Sequence, residues 1–83
     1  MVSAVVLVNT ELNSQGNVLE NLKHVDGVEE AHALYGVYDF LVKVKASSIE
    51  DVKQITKSKI KQVSGVTSSL TLMIQDHQES MRY

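Results

Sequence analysis

A short segment in the middle of the chain brings together residue types that could bind a small polar molecule. Gly36 and Asp39 lie close together there, beside Tyr35 and Tyr38. A carboxylate, exposed backbone N–H groups and two phenols at one turn could hold a zwitterion, with its amine on the acid and its carboxylate on the N–H groups. The alternative is that Gly36 and Asp39 simply form the turn. On chemistry alone, the turn is the favoured interpretation.

The other reactive side chains form no catalytic or metal-binding pattern. His24, His32 and His77 show no metal-ligand spacing, and the chain has no cysteine. Glu29 and Glu30 are adjacent, so on a strand they point to opposite sides and cannot act as a close acid/base pair. No glycine-rich phosphate loop and no Gly-x-Ser-x-Gly motif is present. We therefore predict no catalytic residue, no metal and no cofactor.

Four lysines in one predicted helix, Lys53, Lys57, Lys59 and Lys61, could contact phosphate. A solvated face that complements the helix dipole is the favoured interpretation. An RNA-binding sheet would display several aromatic residues on its third strand, where this chain has only Phe40. With a formal net charge of -2, the chain is expected to bind neither nucleic acid nor an anionic membrane directly.

Length and composition indicate one folded domain. The chain has 83 residues, of which 43% are hydrophobic and 22% charged, and this balance is typical of a globular protein. The apolar start, residues 1–8, lacks the basic flank of a signal peptide and is too short to span a bilayer. We expect a single domain over residues 1–83 and a cytoplasmic location.

The first half of the chain predicts a strand, a helix and a second strand. Ala4–Val8 is a continuous β-branched run, typical of a strand buried on both faces. After a polar turn over residues 9–17, a helix is indicated by one apolar stripe: Val18, Leu19, Leu22 and Val25. Gly27 ends this helix, and Val28–Tyr35 alternates as the second strand.

The second half predicts the same three elements again. Phe40–Lys45 alternates as a strand that pairs with the second strand through the Gly36–Asp39 connection. Ser47 and Glu50 match a capping box. The helix behind them ends at Gly65 and carries Ile49, Val52, Ile55, Ile60 and Val63 on one side. Leu70–Ile74 is the last strand, and residues 75–83 are a polar C-terminal tail.

These elements predict an α+β fold of the ferredoxin-like βαββαβ type. Val-x-Gly-Val occurs around both Gly27 and Gly65, each time between a helix and a strand. Two similar halves of this kind form one four-stranded antiparallel sheet with two helices on one face. The sheet would then have one face that no helix covers.

That uncovered face is too apolar to remain in water. The first strand is apolar on both sides, Leu41 points away from Phe40, and Met73 points away from Leu72. These residues would form an exposed patch of several hundred Å², which marks an interaction site. We therefore predict a homodimer that closes through the two sheets. The alternative is an imperfect alternation with only a mildly apolar face.

Three stretches resemble the ligand-binding domain of the leucine-responsive/asparagine-regulator (Lrp/AsnC) family, the feast/famine regulators. Tyr35–Val44 resembles the family's Gly-x-Tyr-Asp-aromatic hairpin. Val25–Val28 matches its Val-x-Gly-Val, and Val63–Val66 with Thr71 is similar to its last passage from helix to strand. The resemblance covers about residues 3–79. Because the chain begins at the first strand, it resembles a stand-alone module, called a RAM domain, without the family's DNA-binding helix-turn-helix.

The resemblance implies a function in transcription regulation. Domains of this family dimerise through the sheet, assemble further into larger, often octameric, rings, and bind an effector, usually an amino acid, between dimers. Carried onto this chain, the ligand-binding residues are Tyr35, Gly36, Tyr38 and Asp39, with Thr71 on the last strand. Full-length Lrp/AsnC regulators are implied as partners through mixed assembly.

Two other functions remain open. A plain oligomerisation module would need no ligand. A small, dimeric, cofactor-independent monooxygenase of ferredoxin-like fold would place its active site between sheet and helices, where His32 is the one obvious candidate in this chain.

Overall fold

The computed structural model describes residues 1–74 and shows the predicted order of elements. The predicted tail, residues 75–83, lies outside the described residues, so the single domain over the whole chain stays a prediction. The elements are β1 (Val2–Thr10), α1 (Gln15–Lys23), β2 (Val28–Ala33), β3 (Phe40–Ala46), α2 (Ile49–Ile55), a π-helical turn (Thr56–Ile60) and β4 (Val66–Ile74).

The four strands form one antiparallel sheet in the order β2-β3-β1-β4. β1 is central, and its Val6 lies opposite Val42 of β3 and Thr71 of β4. β2 and β4 form the two edges of the described sheet. This topology confirms the predicted ferredoxin-like fold.

The core lies between the sheet and the two helices. Alternate residues of β1 and β3 point into it because successive side chains on a strand face opposite sides. The helices contribute Val18 and Leu22 from α1, Val52 from α2, and Ile60 from the π-helical turn, all fully buried. The strand residues of this core are Ala4, Val6, Val8, Ala31, Phe40, Val42, Val44 and Ala46.

α2 begins one residue later than predicted. The capping side chain is Ser48, whose Oγ accepts a hydrogen bond of 3.1 Å from the backbone N–H of Asp51. The predicted pair, Ser47 and Glu50, was therefore wrong by one position. Ser48 keeps an extended backbone, with φ −150° and ψ 166°, as a capping residue requires. Ile49, predicted to lie on the apolar side of this helix, is the first helical residue and is 51% exposed.

The second helix also ends before its predicted limit. α2 continues into the π-helical turn, where the N–H of Lys61 donates to the carbonyl of Thr56 at 2.9 Å, a span of five residues. The Thr56 hydroxyl donates to the carbonyl of Val52 at 3.0 Å within the buried interior. The last regular turn ends at Ile60, and the chain then turns through Gly65 into β4.

The sequence suggested which side chains of β4 face the core, and the structure shows the opposite assignment. Met73 lies opposite Ala4, so it packs against the core, and Thr71 lies on the same side. The side without helices instead carries Leu70, Leu72 and Ile74. The prediction was wrong for Met73 because its pairing with Ala4, which local alternation does not reveal, sets its direction. The strand also begins four residues earlier than predicted, at Val66. Leu41 does lie on the uncovered side, as predicted, because it pairs with Leu7.

The repeated Val-x-Gly-Val marks the same backbone passage in both halves of the fold. Gly27 and Gly65 have φ values of +96° and +99°, in the left-handed region that other residues avoid. At Gly65 a Cβ atom would also lie 2.8 Å from Cγ2 of Val18 and 3.1 Å from Cβ of Ser14. Glycine therefore lets the end of the second helix approach the start of α1.

Gly65→Ala should lower the free energy of unfolding by about 2–4 kcal/mol, because it adds backbone strain to a clash with Val18. Chemical denaturation followed by circular dichroism measures this loss. Gly16→Ala is the matched control, since no atom lies within 4 Å of its added Cβ and it sits in α1. It should be neutral or stabilise by up to about 1 kcal/mol. Equal effects of the two substitutions would contradict the packing described for Gly65.

Candidate functional site

The connection between β2 and β3, residues 34–39, is held at both ends by backbone hydrogen bonds. The N–H of Leu34 donates to the carbonyl of Asp39 at 2.8 Å, which closes the loop. The N–H of Asp39 donates to the carbonyl of Val8 at 2.9 Å, which ties the loop to the central strand. The tip between these bonds therefore projects from a rigid base at one end of the sheet.

The Asp39 carboxylate uses one of its two oxygens to hold the end of β1. Oδ2 accepts from the backbone N–H of Thr10 at 2.8 Å and from the Thr10 hydroxyl at 3.2 Å. Oδ1 has no hydrogen-bond partner among the described residues. Asp39 thus has a structural role, as the turn interpretation proposed, and retains one oxygen that faces no protein donor within residues 1–74.

The tip of the hairpin is open and has free backbone donors. The N–H groups of residues 35–38 donate to no other described residue. Gly36 has a φ of +135°, a conformation that favours glycine, and no atom lies within 4 Å of where its Cβ would be. Tyr35 and Val37 are exposed, whereas Tyr38 is half-buried.

The structure brings four of the five predicted ligand residues into this one hairpin: Tyr35, Gly36, Tyr38 and Asp39. Thr71 is elsewhere. It lies on β4 at the far edge of the sheet from β2, on the side of the helices, where it lines a cleft with Lys57 and Lys61. Within one chain, Thr71 is therefore not part of the hairpin site.

The side of the sheet without helices, which we call the open face, carries a continuous apolar band. Leu7 lies directly opposite both Leu41 and Leu70, and Val5 lies opposite Leu72. Residues directly opposite on neighbouring strands share a face and contact each other. Ile74 extends the band. Val5, Leu7 and Leu41 are half-buried, while the three β4 residues are exposed.

Charged residues border this band on the β2 side. His32 lies opposite Leu41, and Glu30 lies opposite Lys43. Lys45 is 3.4 Å from the Glu29 carboxylate and Lys43 is 4.0 Å from it. Exposed ion pairs of this kind add little stability, so their main effect is to make one margin of the open face polar.

The histidines do not converge on a metal or on an internal cavity. His24 lies 3.6 Å from Glu20, one helical turn before it, and His32 lies 2.8 Å from Glu30. His77 falls outside the described residues. Within residues 1–74 no group of three His, Asp or Glu side chains could hold a metal ion. His32 is on the open face and not between sheet and helices, where a monooxygenase site would require it.

Sequence reasoning did not identify Thr10 as a partner of Asp39. The two residues are 29 positions apart, and no local pattern connects them. The available signal was the polar end of the first strand. Alignment of this strand with its two neighbours in the sheet would have placed that end beside the hairpin.

No helix among residues 1–74 is long and apolar enough to cross a membrane.

Comparison with known proteins identifies the family. Residues 3–80 match the family model of the Lrp/AsnC ligand binding domain. The chain therefore belongs to this family, as its hairpin and its two Val-x-Gly-Val motifs suggested. This family model describes a ligand-binding domain of transcription regulators.

Two relatives show where such a domain occurs. An uncharacterized HTH-type transcriptional regulator of Pyrococcus abyssi is 35% identical over 63 residues, covering 76% of this chain and 42% of the regulator. A homocitrate synthase of Sulfurisphaera tokodaii is 35% identical over 74 residues, covering 88% of this chain and 16% of the enzyme. The chain thus spans less than half the length of either relative.

Two solved structures are similar to the whole fold. FFRP-DM1 has a TM-score of 0.85 at 31% identity, and the match covers 90% of this chain and 100% of that one. A transcriptional regulator of Neisseria meningitidis, solved as a complex with L-Met, has a TM-score of 0.82 at 12% identity, covering 99% of this chain and 53% of that one. At 12% identity, the similarity to the Neisseria meningitidis regulator shows a shared fold only.

The carboxyl group of Glu30 should titrate below the ordinary range of glutamate. Its pKa is lowered chiefly by the hydrogen bond to His32 Nε2 at 2.8 Å and further by the positive charge of Lys43. Because the pKa is depressed in the folded state, the linked stability is present above the unfolded pKa and is lost as pH falls through the folded one. Carbon-13 NMR titration of the carboxyl group measures this shift.

His32→Ala should raise the pKa of Glu30 towards its ordinary value. His24→Ala, which removes an exposed histidine near a different glutamate, should leave the pKa of Glu30 unchanged. An identical Glu30 titration in the His32→Ala variant and the unchanged protein would show that the hydrogen bond is not formed.

Proposed function

We propose that this chain binds a free amino acid at the hairpin and that the bound ligand changes how copies of the chain assemble. The main observation in support is that several hydrogen-bonding groups at the tip of the hairpin are unused. Four backbone N–H groups, those of residues 35–38, and one carboxylate oxygen of Asp39 have no partner among the described residues. These groups have opposite polarity and lie within a few residues of each other.

This arrangement is complementary to an amino-acid zwitterion. An ammonium group would donate to Oδ1 of Asp39, while the ligand carboxylate would accept from the N–H groups around Gly36. Tyr35 and Tyr38 would contact the ligand side chain. The family resemblance supports this assignment, and so does the L-Met complex of a regulator with the same fold.

The hairpin of one chain provides only part of a binding pocket. Tyr35 and Val37 project into solvent, so a ligand held by the tip would remain exposed on its other side. A neighbouring copy would complete the pocket, as the family resemblance implies for the space between dimers. Thr71 would join the site only from such a copy. A ligand that contacts two copies favours the assembly in which both contacts exist, typically by about 1–3 kcal/mol.

We propose that the basic unit of this assembly is a homodimer closed through the open face. The apolar band runs from Leu41 across Leu7 to Leu70, and the charged margin along β2 lies to one side of it. A two-fold axis would place two such bands against each other. Burial of about 600 Å² of apolar surface would contribute up to about 15 kcal/mol before the costs of association.

The assembly could transmit the ligand signal to other proteins. Regulators that carry the same domain would present a matching open face, so mixed assembly with full-length Lrp/AsnC regulators is the proposed route. The similarity to a segment of a homocitrate synthase supports the view that the domain serves proteins of different activity.

A plain oligomerisation module is the second candidate. The hydrogen bonds from Thr10 to Asp39 favour it, because they give Asp39 a purpose that requires no ligand. The two candidates make the same prediction for the open face and different predictions for amino-acid binding.

Leu72→Asp should convert the dimer into a monomer, because it places a charge in the apolar band, between Leu70 and Ile74 on β4. Leu72 is 47% exposed in the single chain, so the substitution should leave the monomer folded. Light scattering coupled to size-exclusion chromatography at micromolar concentration measures the mass, and circular dichroism verifies the fold.

Leu12→Asp is the matched control for this test. Leu12 is also an exposed leucine, at 86%, but it lies in the loop between β1 and α1. This variant should keep the mass of the unchanged protein. A monomeric unchanged protein, or a folded Leu72→Asp dimer, would contradict assembly through the open face.

Asp39→Asn should weaken amino-acid binding by about 10–100-fold, since it removes one charge-assisted hydrogen bond from the ligand amine. Isothermal titration calorimetry against the twenty amino acids identifies the ligand and its affinity. The asparagine side chain keeps an oxygen that can accept from Thr10, so the fold should persist, and thermal denaturation verifies this.

Thr10→Val is the control that separates binding from structure. It removes the hydroxyl bond to Asp39 while leaving the carboxylate charge, so it should lower stability by about 1 kcal/mol and leave ligand affinity within about twofold. Binding of no amino acid by the unchanged protein would leave the oligomerisation module as the function. Equal affinities for the unchanged protein and Asp39→Asn would exclude Asp39 from the site.

A further inference from the structure

A second concave site lies between the second helix and the edge strand β4, on the opposite side of the sheet from the open face. It is a cleft of about 550 Å³, and its floor is formed by the inward side of β4, which no helix covers fully. Three lysines form one wall and two hydroxyl side chains lie on the floor: Lys53, Lys57, Lys61, Ser69 and Thr71.

The charge of this cleft is of one sign. Its described lining contains the three lysines and no aspartate or glutamate. None of the three makes an ion pair within residues 1–74, where the lysines that do so are Lys43 and Lys45. In a chain with a net charge of -2, this is a local concentration of positive charge beside hydroxyl donors.

The π-helical turn brings Lys61 back towards the line of Lys53, which keeps the three lysines on one side of the helix. In an α-helix of 3.6 residues per turn, a step of four residues advances past a full turn. In a π-helical turn, where hydrogen bonds span five residues, the same step falls short of a full turn. The step from Lys53 to Lys57 crosses mostly α-helix and the step from Lys57 to Lys61 crosses the π-helical turn, so the two deviations cancel.

Lys59 shows the difference between this cleft and an ordinary solvated face. It lies in the same π-helical turn but lines a separate groove that also contains Asp26 and Asp51. The charges are mixed there, and they are mixed too in a groove that Lys53 and Lys57 border with Glu50, whereas the lining of the cleft itself has no acidic residue. The dipole at the end of the helix favours any lysine in this turn, and it does not explain why three of them border one cleft.

We propose that this cleft binds a compact, multiply charged oxyanion. The lysine ammonium groups supply point charges, and the hydroxyls of Ser69 and Thr71 donate hydrogen bonds to the same oxygens. Phosphorylated metabolites and dicarboxylates share this chemistry. The site is separate from the hairpin and does not depend on the amino-acid function proposed above.

Pyrophosphate and succinate are the probes for the two sources of such an anion. Isothermal titration calorimetry at low ionic strength should detect binding of at least one of them to the full chain. Nitrogen-15 NMR should show the largest amide shifts at Ser69 and Thr71. Tighter binding of pyrophosphate assigns the site to phosphate compounds, and tighter binding of succinate assigns it to dicarboxylates.

Lys57→Ala and Lys59→Ala form a matched pair, because both remove one exposed lysine from the same turn and change the net charge equally. Lys57→Ala should weaken binding about fivefold, while Lys59→Ala should stay within about twofold. Equal weakening by the two variants would show diffuse attraction without a site and would overturn the proposal. Absence of binding by both probes, or shifts that avoid β4, would overturn it as well.

Discussion

The fold depends on one constraint, which is that two helices can cover only one side of a four-stranded sheet. The constraint matters most for the central strand β1, because its side chains are apolar on both faces of the sheet. Val6 and Val8 are buried under the helices, whereas Val5 and Leu7 point to the other side and are only half-buried within one chain. Water on that side would face a row of leucines from three strands. The folded chain therefore presents both a finished core and an exposed apolar surface, which we propose a second copy covers.

Asp39 shows how one side chain serves both the scaffold and the candidate site. Its Oδ2 holds the end of β1 through Thr10, and its backbone N–H bonds to Val8 on the same strand. These bonds fix the carboxylate in place, which would lower the entropic cost of the proposed binding at its other oxygen. The same bonds explain why the turn interpretation and the ligand interpretation both seemed reasonable from sequence. The turn interpretation concerns Oδ2 of Asp39, and the ligand interpretation concerns Oδ1.

Residue periodicity was sufficient for the order of elements, the sheet and the hairpin, because these depend on local alternation and on a motif repeated at Gly27 and Gly65. It failed where a distant contact decides the outcome. Met73 was placed on the wrong side of β4 because only its pairing with Ala4 reveals its direction. Thr71, assigned to the ligand site by resemblance, lies opposite Val6 on the helix side of the sheet, so it could join the hairpin site only from another copy. The alignment of Lys53, Lys57 and Lys61 depends on a π-helical turn, which no apolar pattern predicts.

The strand order has a consequence for how this chain can acquire its structure. Each half of the repeat contributes two strands, yet β1 and β2 are separated by β3, and β3 and β4 are separated by β1. Neither half can form a hydrogen bond between its own strands, so neither holds a sheet by itself. Cleavage of the backbone within residues 34–39 would leave two pieces that become ordered only by interleaving with each other. We accordingly expect this domain to fold in one cooperative step governed by pairings between distant segments, and not by the addition of one finished half to another.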